Sequence, residues 1–143
     1  VKVEVVQSQF NFFETSLVTD LFPYLDENLI SFMSWGTLDK GILTKRVDAK
    51  RKFDESDCRS WAPWWKAQDL TSKYAVVEKL APIVSEMGYT LTEFALGFNL
   101  SHQTVTTPIC GARNSQQLND LIKCIKHIPN QEKINQIIEK LKA

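Results

Sequence analysis

The chain has 143 residues, 43% hydrophobic and 24% charged, the make-up of one globular domain able to bury roughly 70% of its unfolded surface. Seventeen Lys and Arg balance seventeen Asp and Glu, which excludes recruitment of nucleic acid or an anionic membrane by net charge. No apolar run approaches the ~20 residues that cross a bilayer, no signal peptide is visible, and three widely spaced cysteines without zinc-ligand spacing, Cys58, Cys110 and Cys124, fit free thiols in a reducing cytosol.

The opening residues Val-Lys-Val-Glu-Val-Val already carry a strand pattern and no initiator Met, which suggests a fragment or a product cut from something longer. Val3 to Ser8 reads as a buried parallel strand. Leu17 to Leu25 reads as a helix capped by Thr15 or Ser16, with Pro23 marking its last turn or a kink. After a turn at Asp26-Glu27-Asn28, Leu29 to Trp35 reads as a second strand ended by Gly36. Periodicity is then lost over a long polar loop, residues 39–70, which carries Trp61, Trp64 and Trp65. Loops beyond about 12–15 residues are usually functional or disordered, and three tryptophans argue against disorder. Its cationic stretch, Lys45-Arg46 and Lys50-Arg51-Lys52, is interrupted by Asp48 and followed by Asp54, Glu55 and Asp57, as in a solvated loop. A helix capped by Thr71 or Ser72 runs to Met87 with Gly88 as its stop. Thr90-Leu91-Thr92-Glu93 is a capping box opening a helix to Leu100. Val105 to Cys110 reads as a third strand, and Ser115–Lys126 and Gln131–Leu141 as the last two helices.

The expected fold class is therefore α/β, with three parallel strands and flanking helices joined by right-handed crossovers. Three strands cannot close a barrel; they leave two open edges and an apolar face to be covered by further chain or a partner.

Four segments, in order, resemble the aldo-keto reductases. Val5-Val6-Gln7-Ser8-Gln9-Phe10-Asn11 is similar to that family's sixth barrel strand, and Ser34-Trp35-Gly36-Thr37-Leu38 with Gly41-Ile42-Leu43-Thr44 to its seventh. Thr90 to Leu96 is similar to the helix before the eighth strand, and Ile109-Cys110-Gly111-Ala112-Arg113-Asn114-Ser115-Gln116-Gln117-Leu118 to the eighth strand and its turn. The resemblance covers essentially the whole chain, residues 1–143, as the C-terminal portion of a (β/α)8 TIM barrel. In such barrels the active face lies at the C-terminal ends of the strands, where Gln7, Trp35 and the Gly111 turn are expected.

The resemblance implies an NADP(H)-dependent oxidoreductase that reduces a small-molecule carbonyl substrate to an alcohol, and a set of cofactor contacts. Gln7 would hold the nicotinamide carboxamide through its amide; a satisfied buried glutamine is the alternative. Trp35 would stack on the nicotinamide ring; a core tryptophan is the alternative. Gly36, Thr37 and Leu38 would approach the pyrophosphate. Gly111 and Ala112 open a helix N-terminus suited to phosphate, and Arg113 offers a planar cation for a 2′-phosphate. Gln117 and Asp120 would contact the adenosine. The sequence departs from the family's pattern twice: Asp120-Leu121 stands where Glu-Asn is frequent, and Lys45 where a glycine commonly closes the Gly-Ile-Leu-Thr segment. The family's proton-donating tyrosine, with its aspartate, lysine and histidine, comes from earlier strands; no motif here supplies them, and Tyr24, Tyr74 and Tyr89 fall on helices or helix turns. His102 and His127 read as structural or solvated. The chain is thus expected to hold cofactor without catalytic residues and to need the missing barrel half or self-association. The alternative is a non-catalytic nucleotide-binding or self-associating half-barrel with an interaction role.

Overall fold

The computed structural model describes residues 2–143. It contains β1 (Val5–Gln9), α1 (Leu17–Asp20), α2 (Phe22–Glu27), β2 (Ser31–Trp35), α3 (Pro63–Lys66), α4 (Leu70–Glu86), α5 (Leu91–Leu100), β3 (Val105–Pro108), α6 (Ser115–Cys124) and α7 (Gln131–Lys142). Short 3-10 turns occupy Asp39–Thr44, Cys58–Ser60 and Ile125–His127. The strands form one sheet in the order β1-β2-β3. Both pairs are parallel, with Gln7 opposite Met33 and Gln9 opposite Trp35, and an irregularity between Phe32 and Met33 on the β3 side. The three parallel strands and flanking helices expected from the sequence are therefore present.

One face of the sheet meets the helices. Phe10, Phe32 and Phe94 are fully buried there with Phe22, Phe98 and the α7 residues Ile134 and Ile137. His102 belongs to this core: its ring lies 4.9 Å from both Phe10 and Phe98, and its Nδ1 contacts the Phe98 carbonyl at 2.9 Å. The other face is open, with Val5 51% and Trp35 39% exposed. No helix among the described residues is long and apolar enough to cross a membrane.

Three local readings are corrected. The single helix expected over Leu17–Leu25 is two, broken at Leu21, whose φ of −123° is non-helical; Pro23 sits in the first turn of α2, where its missing N–H costs nothing. Leu29 lies outside the strand, with φ +53°. The amide of Leu29 donates to Asp26 O and that of Ile30 to Leu25 O, the paired bonds that close a helix C-terminus. The cap of α4 is Asp69, not Thr71 or Ser72: its carboxylate accepts from the Ser72 amide at 3.0 Å.

The long loop is folded. Its residues Ile42, Leu43, Val47, Ala62 and Trp65 form a second buried cluster with Val77 of α4 and Ala95 of α5. Asp39, fully buried, receives the Lys73 ammonium at 2.9 Å. Lys73 also ties down the far end of the loop, donating to Gln68 Oε1 at 3.0 Å. Lys45, where the resemblance leads to a glycine, adopts a left-handed φ of +56°. The departure in residue type leaves a glycine-like backbone in place.

Candidate functional site

The exits of β2 and β3 are joined by one side-chain and one backbone hydrogen bond. Thr37 Oγ1 donates to the Ile109 carbonyl at 3.0 Å, and the Ile109 amide donates to Ser34 O at 2.7 Å. From the β1 side, buried Asn11 donates through Nδ2 to the Gly36 carbonyl at 2.8 Å. Gly36 takes φ +70°, and a Cβ there would meet Gln9 Cγ at 3.4 Å. These bonds fix the floor of a cleft of about 820 Å³ between the β2 exit, the long loop and the start of α6.

Trp35, Gly36, Thr37, Leu38, Gly111, Ala112, Arg113, Gln117 and Asp120 all border this cleft. These are nine of the ten residues singled out from the sequence. Gln7 is the exception. It is exposed in the middle of β1, two residues short of the strand end, and does not border the cleft. It does share the open face with Trp35, because residues two apart on a strand point the same way.

The helix end is organised by its own side chains. Asn114 caps α6, accepting from the Gln117 amide at 2.9 Å. Gln117 Oε1 in turn accepts from the Arg113 amide at 2.9 Å. Asp120 accepts from Gln116 at 2.8 Å and from Arg46 at 3.3 Å. Arg113 is not an isolated cation. Its Nη2 reaches Asp57 Oδ2 at 2.7 Å, across from a loop residue 56 positions earlier. Asp57 is only 7% exposed and also accepts from Arg59 Nη2 at 2.6 Å and Nε at 2.9 Å. Arg59, Arg113 and the Arg59 amide hold its carboxyl well below the usual carboxylate range, against the opposing effect of burial.

Asp57, Arg59, Arg46, Arg51 and Lys40 are the charged cleft residues that sequence reasoning did not single out. The cationic stretch expected to be a solvated loop places Arg46 and Arg51 at the cleft wall. Lys40 stands 5.9 Å from the Trp35 ring and 5.4 Å from the Trp64 ring. The local signal was present in Asp57-Cys58-Arg59, an acid and a base two residues apart, but only the fold brings Arg113 to it. Five cationic side chains (Lys40, Arg46, Arg51, Arg59, Arg113) and two carboxylates (Asp57, Asp120) line the cleft. A chain without net charge thus concentrates positive charge at one place, which suits a ligand carrying phosphates. A Cβ added at Gly111 meets nothing within 4 Å, so there is room for a ligand to approach that turn.

The three cysteines are free and border the same cleft. Burial pushes the Cys110 and Cys124 thiols up, so both stay protonated at neutral pH and are poor nucleophiles. None of the three tyrosines borders the cleft: Tyr24 lies on α2, Tyr74 on α4, and Tyr89 rests against His127 at 4.9 Å. His127 Nδ1 contacts Glu93 Oε1 at 3.2 Å. No group of His, Cys, Asp and Glu among the described residues has the geometry of a metal site.

The Aldo/keto reductase family matches residues 1–142. The chain is 27% identical to a probable voltage-gated potassium channel subunit beta of Arabidopsis thaliana, over 94% of this chain and 44% of that protein. It is 24% identical to the aldo-keto reductase YhdN of Bacillus subtilis, over 96% of this chain and 43% of that protein. Among solved structures, the glycerol dehydrogenase of Gluconobacter oxydans superposes with a TM-score of 0.77 at 21% identity, over 96% of this chain and 42% of that one. The chain spans less than half the length of each of these three.

Proposed function

The chain belongs to the aldo/keto reductase family, and from that premise we propose that its cleft is the cofactor-holding part of an NADP(H)-dependent carbonyl reductase. The observation that carries this reading is convergence. Nine residues singled out as cofactor contacts, spread from Trp35 to Asp120, border one cationic cleft. A bound NADPH supplies the hydride for carbonyl reduction; the residues of this chain bind and orient it.

In this reading Trp35, at the end of β2 and beside the cleft, offers an indole face to the nicotinamide. Gly111 and Ala112 precede α6, whose amides and helix dipole favour a phosphate. Arg113, fixed by Asp57 on one side, directs its remaining guanidinium donors at a 2′-phosphate. Gln7, on the open face beside Trp35's strand, is the candidate for the carboxamide. The proton donor is assigned to no residue of this chain, because no tyrosine borders the cleft. The carbonyl substrate and turnover therefore belong to a completed barrel. Free thiols throughout suit a reducing compartment, the cytosol.

Titration with NADPH, read by quenching of tryptophan emission, tests the proposal. Arg113→Ala is expected to weaken NADPH binding about ten- to a hundredfold while changing NADH binding little, since a charge-assisted hydrogen-bond pair is lost only with the 2′-phosphate. A folded chain that shows no saturable NADPH quenching removes the reading.

A second reading is favoured by the open sheet face. Val5 and Trp35 are large, apolar and exposed there, on a sheet whose outer strands pair on one side only. This favours a half-barrel that covers its face with a second copy or with the remaining barrel strands.

A further inference from the structure

A second pocket, of about 420 Å³, opens between the long loop and the first turn of α4. It shares a single residue, Arg51, with the cofactor cleft. Its walls are Phe53, Trp65 and Leu70, with the Tyr74 ring completing them. Phe53 and Trp65 meet edge to face, 5.7 Å between centroids and 90° between planes. The Arg59 guanidinium lies 4.2 Å from the Phe53 centroid and pins that ring, and Trp65 is 4% exposed. The walls are therefore held before any ligand arrives, and their edges and faces suit another aromatic ring.

Four lining residues carry polar groups: Asp48, Arg51, Thr71 and Tyr74. Among the described residues, neither the Tyr74 hydroxyl nor the Thr71 hydroxyl has a hydrogen-bond partner. Asp48 uses Oδ1 to accept from the Lys50 amide at 2.9 Å, which leaves Oδ2 as an acceptor. Asp48 and Arg51 oppose each other in charge, so the pocket does not select an ion of either sign. Burial first, and then the Asp48 carboxylate, push the Tyr74 phenol up, which keeps it a protonated donor across the physiological range. Aromatic and apolar walls with polar groups beside them, at a volume of some hundreds of Å³, are features of small-molecule sites.

We propose that this pocket is a binding site for a small neutral phenol, its ring held against Phe53, Trp65 and Leu70 and its hydroxyl shared between Asp48 and Tyr74. The ligand is a donor to the carboxylate and an acceptor from Tyr74, which a plain hydrocarbon ring is not. The site stands apart from the NADP(H) assignment and does not depend on it.

The test uses 4-fluorophenol, followed through its fluorine resonance, with the folded chain at neutral pH. Saturable broadening is expected. Ala49→Phe, at an exposed pocket-lining position, should fill the space and weaken binding at least about tenfold. Tyr74→Phe should weaken it about three- to tenfold, the worth of one neutral hydrogen bond. Trp35→Ala, in the cofactor cleft, should leave it unchanged. Absence of saturable binding, full binding by Ala49→Phe, or loss of binding in Trp35→Ala would each overturn the assignment.

Discussion

Leu29 and Gly88 do the same job at two helix ends. Each follows its helix with a left-handed φ, +53° and +84°, and each lies in the same pair of closing hydrogen bonds. A side chain in that conformation costs about 1–2 kcal/mol, and glycine avoids it. Leu29 is 91% exposed, so no packing offsets the strain. Leu29→Gly is therefore expected to raise stability by about 0.5–1 kcal/mol after the greater unfolded-state freedom of glycine, seen as a higher urea midpoint. Hydropathy assigns Leu29 to the strand because a leucine before Ile30 extends the apolar run. The backbone geometry that excludes it is set by the preceding helix.

Asp57 is the second residue whose role is physical before it is functional. It joins the long loop to the turn before α6 through Arg113. Removing its charge by Asp57→Asn should cost about 1–3 kcal/mol near neutral pH, as for hydrogen bonds to charged groups. The folded carboxyl is held low, so its contribution is fully present above the unfolded carboxyl range, near pH 4, and is lost progressively as pH falls from there through the depressed folded value. Chemical denaturation of both proteins at pH 7 and pH 3 checks the sign: the gap should narrow at the lower pH. A gap of undiminished size at pH 3 would assign the effect to packing.

At the scale of elements, α5 sits at the centre of the packing. Its capping box was legible in Thr90-Leu91-Thr92-Glu93 because cap and box residues are local, and both reciprocal bonds form. What was not legible is that Glu93 also reaches His127, beyond α6. Gly97 shows the same limit. Within a helix it weakens the helix by propensity alone, yet a Cβ there would meet Pro129 Cγ at 2.7 Å and Pro129 O at 2.8 Å. The close approach of the segment before α7 requires it. Gly97→Ala should thus destabilise by about 1–3 kcal/mol despite the better helix former, a direction that thermal melting separates from the roughly 1 kcal/mol gain expected of an isolated helix. The long loop fails as a periodic element for a related reason. Its buried residues Ile42, Leu43, Val47, Ala62 and Trp65 are irregularly spaced, since 3-10 turns and one short helix, not a repeating period, turn them inward.

At the scale of the molecule, the open face is the dominant unsatisfied feature. If it is covered by a second copy in solution, sedimentation of the chain should show concentration-dependent association, and Val5→Glu should shift it towards monomer. Val5 is already half exposed, so the substitution spares the core. Association unchanged by Val5→Glu would place the contact elsewhere.

The sequence by itself determined the three strands and the main helices between them, the parallel sheet, the capping box and nine of the residues that border the cleft. These follow from local periodicity, cap chemistry and four ordered motifs. Only the tertiary structure decided that Gln7 stands apart from the other nine, that Arg113 is tied to Asp57, and that a neutral chain gathers five cations around one cleft. Those outcomes depend on contacts between residues distant in sequence, which no local pattern encodes.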